Sequence, residues 1–378
     1  MRVHIVDPSA YTPPYDHALC SALAAAGADV ELYTSHFAHG AVAPAAGYER
    51  HELFYRAARF VPGDRARRLV KLAEHVPDML RYRRAARAAD VVHFQWLPVQ
   101  QLDGRLLPSN RSATGAVRPL VLTAHDVLPR EPRAGQRAAQ RRLYGRFDAV
   151  VVHSEHGRER LTRELGVRES RVHLIPHGAL THLAEGPVAP PPFQAERPVV
   201  LFFGLLRPYK GIDVLLEAWR GIADAELWIV GMPRMDISPL LADLRSPSAP
   251  ANVRLDARFI DDSELRAYFR RADLVVLPYR EADQSGVLFT ALAFGKPLLV
   301  SDVGGLGEVA ATGAARVVRA GDSAALHDAL KELLGDRAAL AEMSESARAA
   351  AAGAYAWEGI AARTLALYES LLRENHSR

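Results

Sequence analysis

Two stretches of the chain carry groups suited to holding negative charge. The first is Gly204-Leu205-Leu206-Arg207-Pro208-Tyr209-Lys210-Gly211, directly after the apolar run "VVLFF". The Arg207 guanidinium is a planar fork that matches phosphate oxygens, and Lys210 adds a compact point charge. Gly204 and Gly211 permit close backbone approach. The spacing matches neither a GxxxxGK[ST] loop nor GxGxxG. Taken alone, two cations after a strand more often form a solvated turn than a phosphate clamp. The second stretch is Gln284-Ser285-Gly286-Val287, between the apolar run "LVVLPY" and a helical pattern reaching Phe294. There the amides of Ser285, Gly286 and Val287 fall at a helix N-terminus, where unpaired donors and the helix dipole favour an anion. The alternative is that Asp283 or Ser285 merely caps the helix. Two such loops in one half of the chain point to a diphosphate, gripped by Arg207 and Lys210 from one side and by helix-end amides from the other.

The elements that must position these loops are legible as alternation. Short apolar runs such as "VHIV", "DVELYT", "DVVHFQW", "PLVLTAH", "AVVVHS" and "VHLIPHG" interleave with helical patterns in the first half. "PVVLFFG", "ELWIVG", "NVRLD", "DLVVLP", "PLLVS" and "ARVV" repeat the scheme in the second. This predicts βαβ units around two buried parallel sheets, an α/β architecture of two Rossmann-like, doubly wound domains. Such sheets bind ligands at the carboxyl ends of their strands, here expected to face each other across a cleft. The proline-rich "EGPVAPPPFQAER" of residues 185–197 is expected as a linker between domains 1–184 and 198–357. The amphipathic pattern "YAWEGIAARTLALYESLL" predicts a terminal helix within 358–378.

Composition bounds the rest. The 378 residues are 49% apolar, enough for two cores. A net charge of +3 is too weak to argue for nucleic acid. The single cysteine, Cys20, forms no intramolecular disulfide and reads as a core residue. No run is long enough for a membrane span, and "MRVHIVDPSAY" lacks the apolar stretch of a signal peptide. A soluble, cytoplasmic protein is expected. Residues 65–90 are arginine-rich with leucines at helical spacing, either a solvated helix face or a contact with an anionic membrane surface or lipid-linked acceptor. Pro77 is expected to divide that stretch. No His/Cys spacing resembles a zinc site, and there is no Asp-x-Asp, so metal independence is expected.

Several motifs together resemble the retaining glycosyltransferases of family 4, with the GT-B fold. They are "FFGLLRPYKGIDVLLEA", "LWIVG", "RFIDDSELRAYFRRADLVVLPYR", "QSGVLFTALAFGKPLLVSDVGGLGEV", "LIPHG", "LTAHD" and the terminal "YAWEGIA" with "LYESLL". The resemblance implies that a nucleoside diphosphate sugar is the donor, with no further cofactor, and that a glycan, lipid-linked glycan or small molecule is the acceptor. It implies that Arg207 and Lys210 contact the donor pyrophosphate and that His125 faces the donor sugar. Phe259 and Ile260 then match the place where the base stacks or meets backbone, and the terminal helix crosses back to the first domain. Aligned on "ALAFGKP", Thr290 stands where many members carry the second glutamate of a Glu-x7-Glu motif, and Ala282 where they carry the first. Glu281 or Asp283 could replace the first by a one-residue shift. Thr290 can serve ribose hydroxyls only as a shorter, neutral partner. "QSGV" resembles a recognisable subgroup of the family. The first loop lacks the common Gly-Gly pair and ends in Tyr15, Asp16 and His17, which line the acceptor side unless Asp16 only caps a helix. The remaining histidines, including those of "PHG" at 176–178, read mostly as structural turns. A catalytically silent partner subunit and a nucleotide-sugar epimerase are the alternative functions.

Overall fold

A computed structural model of the chain describes residues 1–111, 115, 117–128, 135–190, 193–246 and 250–376. The chain divides into two compact units, Met1–Gly178 with Trp357–Arg378, and Ala179–Ala356.

The first unit is built on a parallel seven-stranded sheet of order β3-β2-β1-β4-β5-β6-β7. The strands are β1 (Arg2–Asp7), β2 (Asp29–Ser35), β3 (Glu49–Phe54), β4 (Val91–Phe94), β5 (Leu120–Thr123), β6 (Ala149–Val152) and β7 (Val172–Leu174). Its helices are α1 (Pro13–Ala25), α2 (Asp64–Ala85), α3 (Gln100–Leu106), α4 (Gln136–Tyr144) and α5 (Glu155–Glu159). Central strands such as β4, β5 and β6 are buried along their whole length, as continuous apolar runs require when both sheet faces are covered. Strand β3, "ERHELF", has no such run and was not expected from the sequence. It is an edge strand paired only with β2, so water solvates its outer side and charged residues are tolerated.

Helix α2 departs from expectation in a second way. It runs unbroken for 22 residues through Pro77. Pro77 lies on the exposed face, where water can satisfy the carbonyl that loses its amide donor.

The second unit has a parallel six-stranded sheet of order β10-β9-β8-β11-β12-β13. Its strands are β8 (Val199–Phe203), β9 (Glu226–Val230), β10 (Val253–Asp256), β11 (Leu274–Leu277), β12 (Leu298–Ser301) and β13 (Ala315–Val318). The helices are α6 (Ile212–Ala218), α7 (Ser238–Arg245), α8 (Asp262–Arg271), α9 (Gly286–Ala293), α10 (Ser323–Gly335) and α11 (Arg337–Ala352). Helix α12 (Trp357–His376) belongs to the first unit, where the Tyr368 hydroxyl lies 2.6 Å from His93 Nδ1.

The seam falls at Gly178, earlier than the expected domain end at 184. The expected linker, 185–197, is strapped to α8 instead, although its residues 191 and 192 lie outside the described set. Arg266 donates to the Pro187 carbonyl at 3.1 Å, and Arg271 donates to the carbonyls of Ala195 and Arg197. Proline-rich backbone is poor in donors but keeps every carbonyl, and the arginines of α8 use them.

Candidate active site

In the second sheet β8 and β11 are neighbours, yet their connections diverge. The chain leaves β8 for β9 on one side and leaves β11 for β12 on the other. Loops that part in this way open a crevice at the strand ends. They are the two anion-competent stretches of the sequence. Gly204 ends β8 with φ of +111°, and a Cβ there would stand 2.9 Å from Lys210 Nζ and 3.1 Å from Val287 Cγ2. The ammonium of one loop and the first turn of α9 therefore converge on one bare glycine. Lys210 is 7% exposed, and its Nζ lies 4.9 Å from the centre of the Tyr279 ring. Gly211, at φ +68°, presses against the Pro278 carbonyl, which would sit 2.0 Å from any Cβ. The loops are tied again by the Arg280 amide, which donates to the Tyr209 carbonyl at 2.7 Å. The Arg280 guanidinium also forks onto both Asp213 oxygens at 2.7 and 2.5 Å, and this holds the Asp213 carboxyl below its ordinary range.

Ser285 precedes α9 in an extended conformation, but its side chain makes no capping hydrogen bond. Its hydroxyl instead lies 3.3 Å from the Tyr279 hydroxyl. Gly286 is exposed, so the first amides of α9 are open to a ligand. Arg207 Nε and Gln284 Oε1, on the same two loops, are buried polar atoms with no hydrogen-bond partner among the described residues. Orphans of this kind are what a bound polar ligand satisfies. Thr290 is 5% exposed, and its hydroxyl donates to the Gly286 carbonyl at 2.9 Å. Its proton is committed inside α9. Of the two candidates for the missing glutamate beside it, Glu281 is exposed and Asp283 is buried. Phe259 and Ile260 follow β10, with β9 between them and β8. Their loop is fixed by the Asp261–Glu264 capping box that opens α8 and by Arg258, which donates to Glu264 at 2.8 Å.

In the first unit, His125 follows β5 and joins side chains from three other strand ends and from α1. Trp96 stacks on its ring at 4.9 Å and 12°, and Tyr15 meets it edge-on at 4.7 Å. Gln95 Oε1 is 3.1 Å from Nε2, and His153 Nε2 is 3.2 Å from Nδ1. His177 lies 5.3 Å, ring to ring, from His153. Burial, then the neighbouring imidazoles, push His125 and His177 well below the ordinary histidine range. Burial also lowers His153 to about 4 and His93 to about 3. The cluster is neutral at pH 7. His125 lines a hollow of about 170 Å³ together with Gln95, Trp96, Gln100, Asp126 and Gln140.

With this geometry in view, the comparisons are decisive for the family. Residues 197–336 match the glycosyl transferases group 1, and residues 14–178 match the glycosyl transferase 4-like domain. The chain belongs to family 4 of the GT-B glycosyltransferases. Among its relatives is the GDP-mannose:glycolipid 4-beta-D-mannosyltransferase of Xanthomonas campestris, 27% identical over 56% of this chain and 60% of that protein. Another is the D-inositol 3-phosphate glycosyltransferase of Nocardia farcinica, 29% identical over 68% of this chain and 62% of that protein. In these alignments the chain spans about three fifths of each relative's length. The sucrose-phosphate synthase of Thermosynechococcus elongatus shares the fold, with a TM-score of 0.76 at 20% identity over 99% of this chain and all of that one.

In this family 4 chain the first loop is organised by two carboxyl groups. Asp7, fully buried, accepts from the amides of Ser9, Tyr11 and Thr12 at 3.1, 2.5 and 3.3 Å. Asp16, on the first turn of α1, bonds Asp7 rather than capping the helix. Burial, then the Asp7 charge, raises Asp16 well above the usual carboxylate range, so it carries the shared proton. His17 turns instead to the Tyr48 hydroxyl at 3.1 Å. Sequence reasoning did not foresee His153, His177 and Trp96 as partners of His125. The signal was present: "FQW", "TAH", "VHS" and "PHG" each place a ring just past a strand. Among the described residues, no group of three or more His, Cys, Asp or Glu is placed to hold a metal ion.

Proposed function

We propose that the chain is a retaining hexosyltransferase that moves a sugar from a nucleoside diphosphate sugar to a hydroxyl of a glycan, a lipid-linked glycan or a small molecule. One observation carries this reading: Lys210 and Val287, in the first turn of α9, converge on Gly204, at the start of the loop that carries Arg207. In that site Arg207, Lys210 and the amides of Gly286 and Val287 take up the charge that develops on the departing diphosphate. Preorganised donors of this type contribute about 3 kcal/mol each to such a transition state. Gln284 and Ser285 serve the ribose or the phosphates, and Phe259 and Ile260 hold the base. The acceptor hydroxyl attacks on the face that the diphosphate leaves, and a leaving phosphate oxygen takes its proton. No resident cofactor or metal is needed, because the cation pair supplies the electrostatic stabilisation. His125, kept neutral by its neighbours, faces the donor sugar without setting a positive charge beside an oxocarbenium-like carbon.

The chain acts in the cytoplasm as a peripheral protein at the inner face of the membrane. The glycolipid in the name of the Xanthomonas relative supports this. Among the described residues no helix is long and apolar enough to cross a membrane. Nucleic acid is not a partner.

Incubating the purified chain with UDP- and GDP-sugars, and following diphosphate release and product mass, tests the assignment. Because the Xanthomonas relative is named for a beta-linked mannoside, the anomeric configuration of the product, read by proton NMR, decides retention. A second reading, a silent partner subunit, is favoured by the internal bond of Thr290 and by buried Ala282. It predicts no turnover with any donor and no saturable nucleotide binding. An epimerase would convert the donor without any acceptor.

A further inference from the structure

We propose that the outer face of α2 is a docking surface for an anionic lipid bilayer. This inference rests on the reading of the chain as a peripheral membrane protein and names where that contact is made. Five of the nine exposed large apolar side chains among the described residues lie between 60 and 80: Phe60, Leu69, Leu72, Val76 and Leu80. Four of them sit on α2 at steps of three, four and four residues, which forms one stripe along one face. Phe60 is 74% exposed, Leu69 70% and Leu72 54%. Among the described residues, nothing packs over leucines so exposed. At 1.5 Å per residue the stripe from Leu69 to Leu80 is roughly 17 Å long, and α2 stays helical through Pro77 along its length.

Charge commits the surface to one occupant. Residues 65–87 hold eight Arg or Lys and two acids, Glu74 and Asp78. Both acids are engaged on the inner side. Glu74 accepts from the amides of Ala57 and Ala58 at 2.8 and 2.9 Å, and Asp78 accepts from the Tyr55 amide at 2.8 Å. Lys71 also turns away from the stripe, with its Nζ 5.2 Å from the centre of the Tyr55 ring. Arg59, Arg65, Arg68, Arg84 and Arg87 are exposed around and beyond the stripe, and Arg59 lies over the Phe60 ring at 4.4 Å. A basic rim around an apolar strip matches the boundary between anionic headgroups and acyl chains. A second copy of the chain matches it poorly. An isologous contact would set arginine against arginine, and four aliphatic side chains fall short of the ~800 Å² per partner of a stable interface.

The test is flotation of the full chain with phosphatidylcholine vesicles containing or lacking 30% phosphatidylglycerol. It is run for the wild type, L69E/L72E and R65S/R68S, with thermal melts as the folding control. The wild type is expected to float with the anionic vesicles and stay behind with the neutral ones. Each double variant should bind the anionic vesicles at least tenfold less, since one basic residue near a charged surface is worth about a fivefold factor. Melting temperatures should be unchanged, because the substituted side chains are exposed. If the variants bind as well as the wild type, the chain is peripheral but docks elsewhere, and the assignment of α2 falls alone. If the wild type ignores anionic vesicles, the assignment and the peripheral reading fall together. A lipid-free dimer that L69E/L72E dissolves would overturn the bilayer in favour of a second copy. None of these outcomes depends on sugar transfer, so they stay separate from the catalytic reading.

Discussion

His153 Nε2 lies 3.2 Å from His125 Nδ1, and His153 Nδ1 lies 2.9 Å from the Ile175 carbonyl. The carbonyl can only accept, so the His153 proton sits on Nδ1 and its Nε2 must accept as well. His125 then carries its proton on Nδ1, and its Nε2 lone pair requires a donor, which Gln95 supplies once its amide turns the otherwise unpartnered NH2, rather than Oε1, towards the ring. A neutral imidazole of fixed tautomer follows from one backbone carbonyl two strands away, because β6 lies between β5 and β7.

This chain of bonds predicts how stability depends on pH. His153 titrates near 4 in the folded state, against 6.5 as the ordinary value, and burial with the neighbouring imidazoles also holds His125 and His177 well below that value. The unfolded chain therefore binds more protons between these values. The contribution is fully present above about pH 6.5 and is lost as pH falls towards 4. For His153 alone the loss is on the order of 3 kcal/mol. Melting temperatures recorded from pH 7.5 down to 4 should fall steadily across that window. His153→Asn should flatten the slope, although it lowers the plateau.

The Asp7–Asp16 pair predicts an asymmetry between two conservative substitutions. Asp16→Asn keeps a donor facing Asp7, so stability at pH 7 should change by less than about 1 kcal/mol. Asp7→Asn puts an amide where three backbone N–H groups need acceptors, which should cost about 2–3 kcal/mol. Denaturant titration of both variants checks the order.

Thr290 supports a sharper forecast than the sequence allowed. Its hydroxyl proton is held by the Gly286 carbonyl and its side chain is buried. Thr290→Val should therefore change donor affinity less than threefold, measured as the KM for the sugar nucleotide. A loss of tenfold or more would place the hydroxyl at the ribose after all.

The sheets were legible because buried parallel strands are uninterrupted apolar runs. Twelve of the thirteen strands among the described residues, from "VHIV" to "ARVV", were legible, the central ones as such runs and the others by alternating or clustered β-branched and apolar residues. Strand β3, "ERHELF", was not, because its first four residues are three charged side chains and a histidine and its apolar pair comes only at the end. Arg207, Lys210 and Gln284–Val287 were legible by residue type and by their place after a strand. The convergence of Lys210 and Val287 on Gly204 was not, because it depends on β8 and β11 being neighbours. The histidine cluster was hidden for the same reason: His125, His153 and His177 lie far apart in sequence and meet only when β5, β6 and β7 stand side by side. The proline-rich 185–197 misled, since composition shows missing donors but not the arginines of α8 that bind the carbonyls.

The central claim is that Arg207, Lys210 and the start of α9 hold a diphosphate, and calorimetric titration with UDP and GDP tests it most directly. The wild type should bind at least one of them saturably with a Kd in the micromolar range. Arg207→Ala and Lys210→Ala should each weaken binding by about tenfold or more, as lost charge-assisted hydrogen bonds do, with melting temperatures nearly unchanged. Saturable binding that both substitutions leave intact, or no binding of any nucleoside diphosphate by the folded wild type, would contradict it.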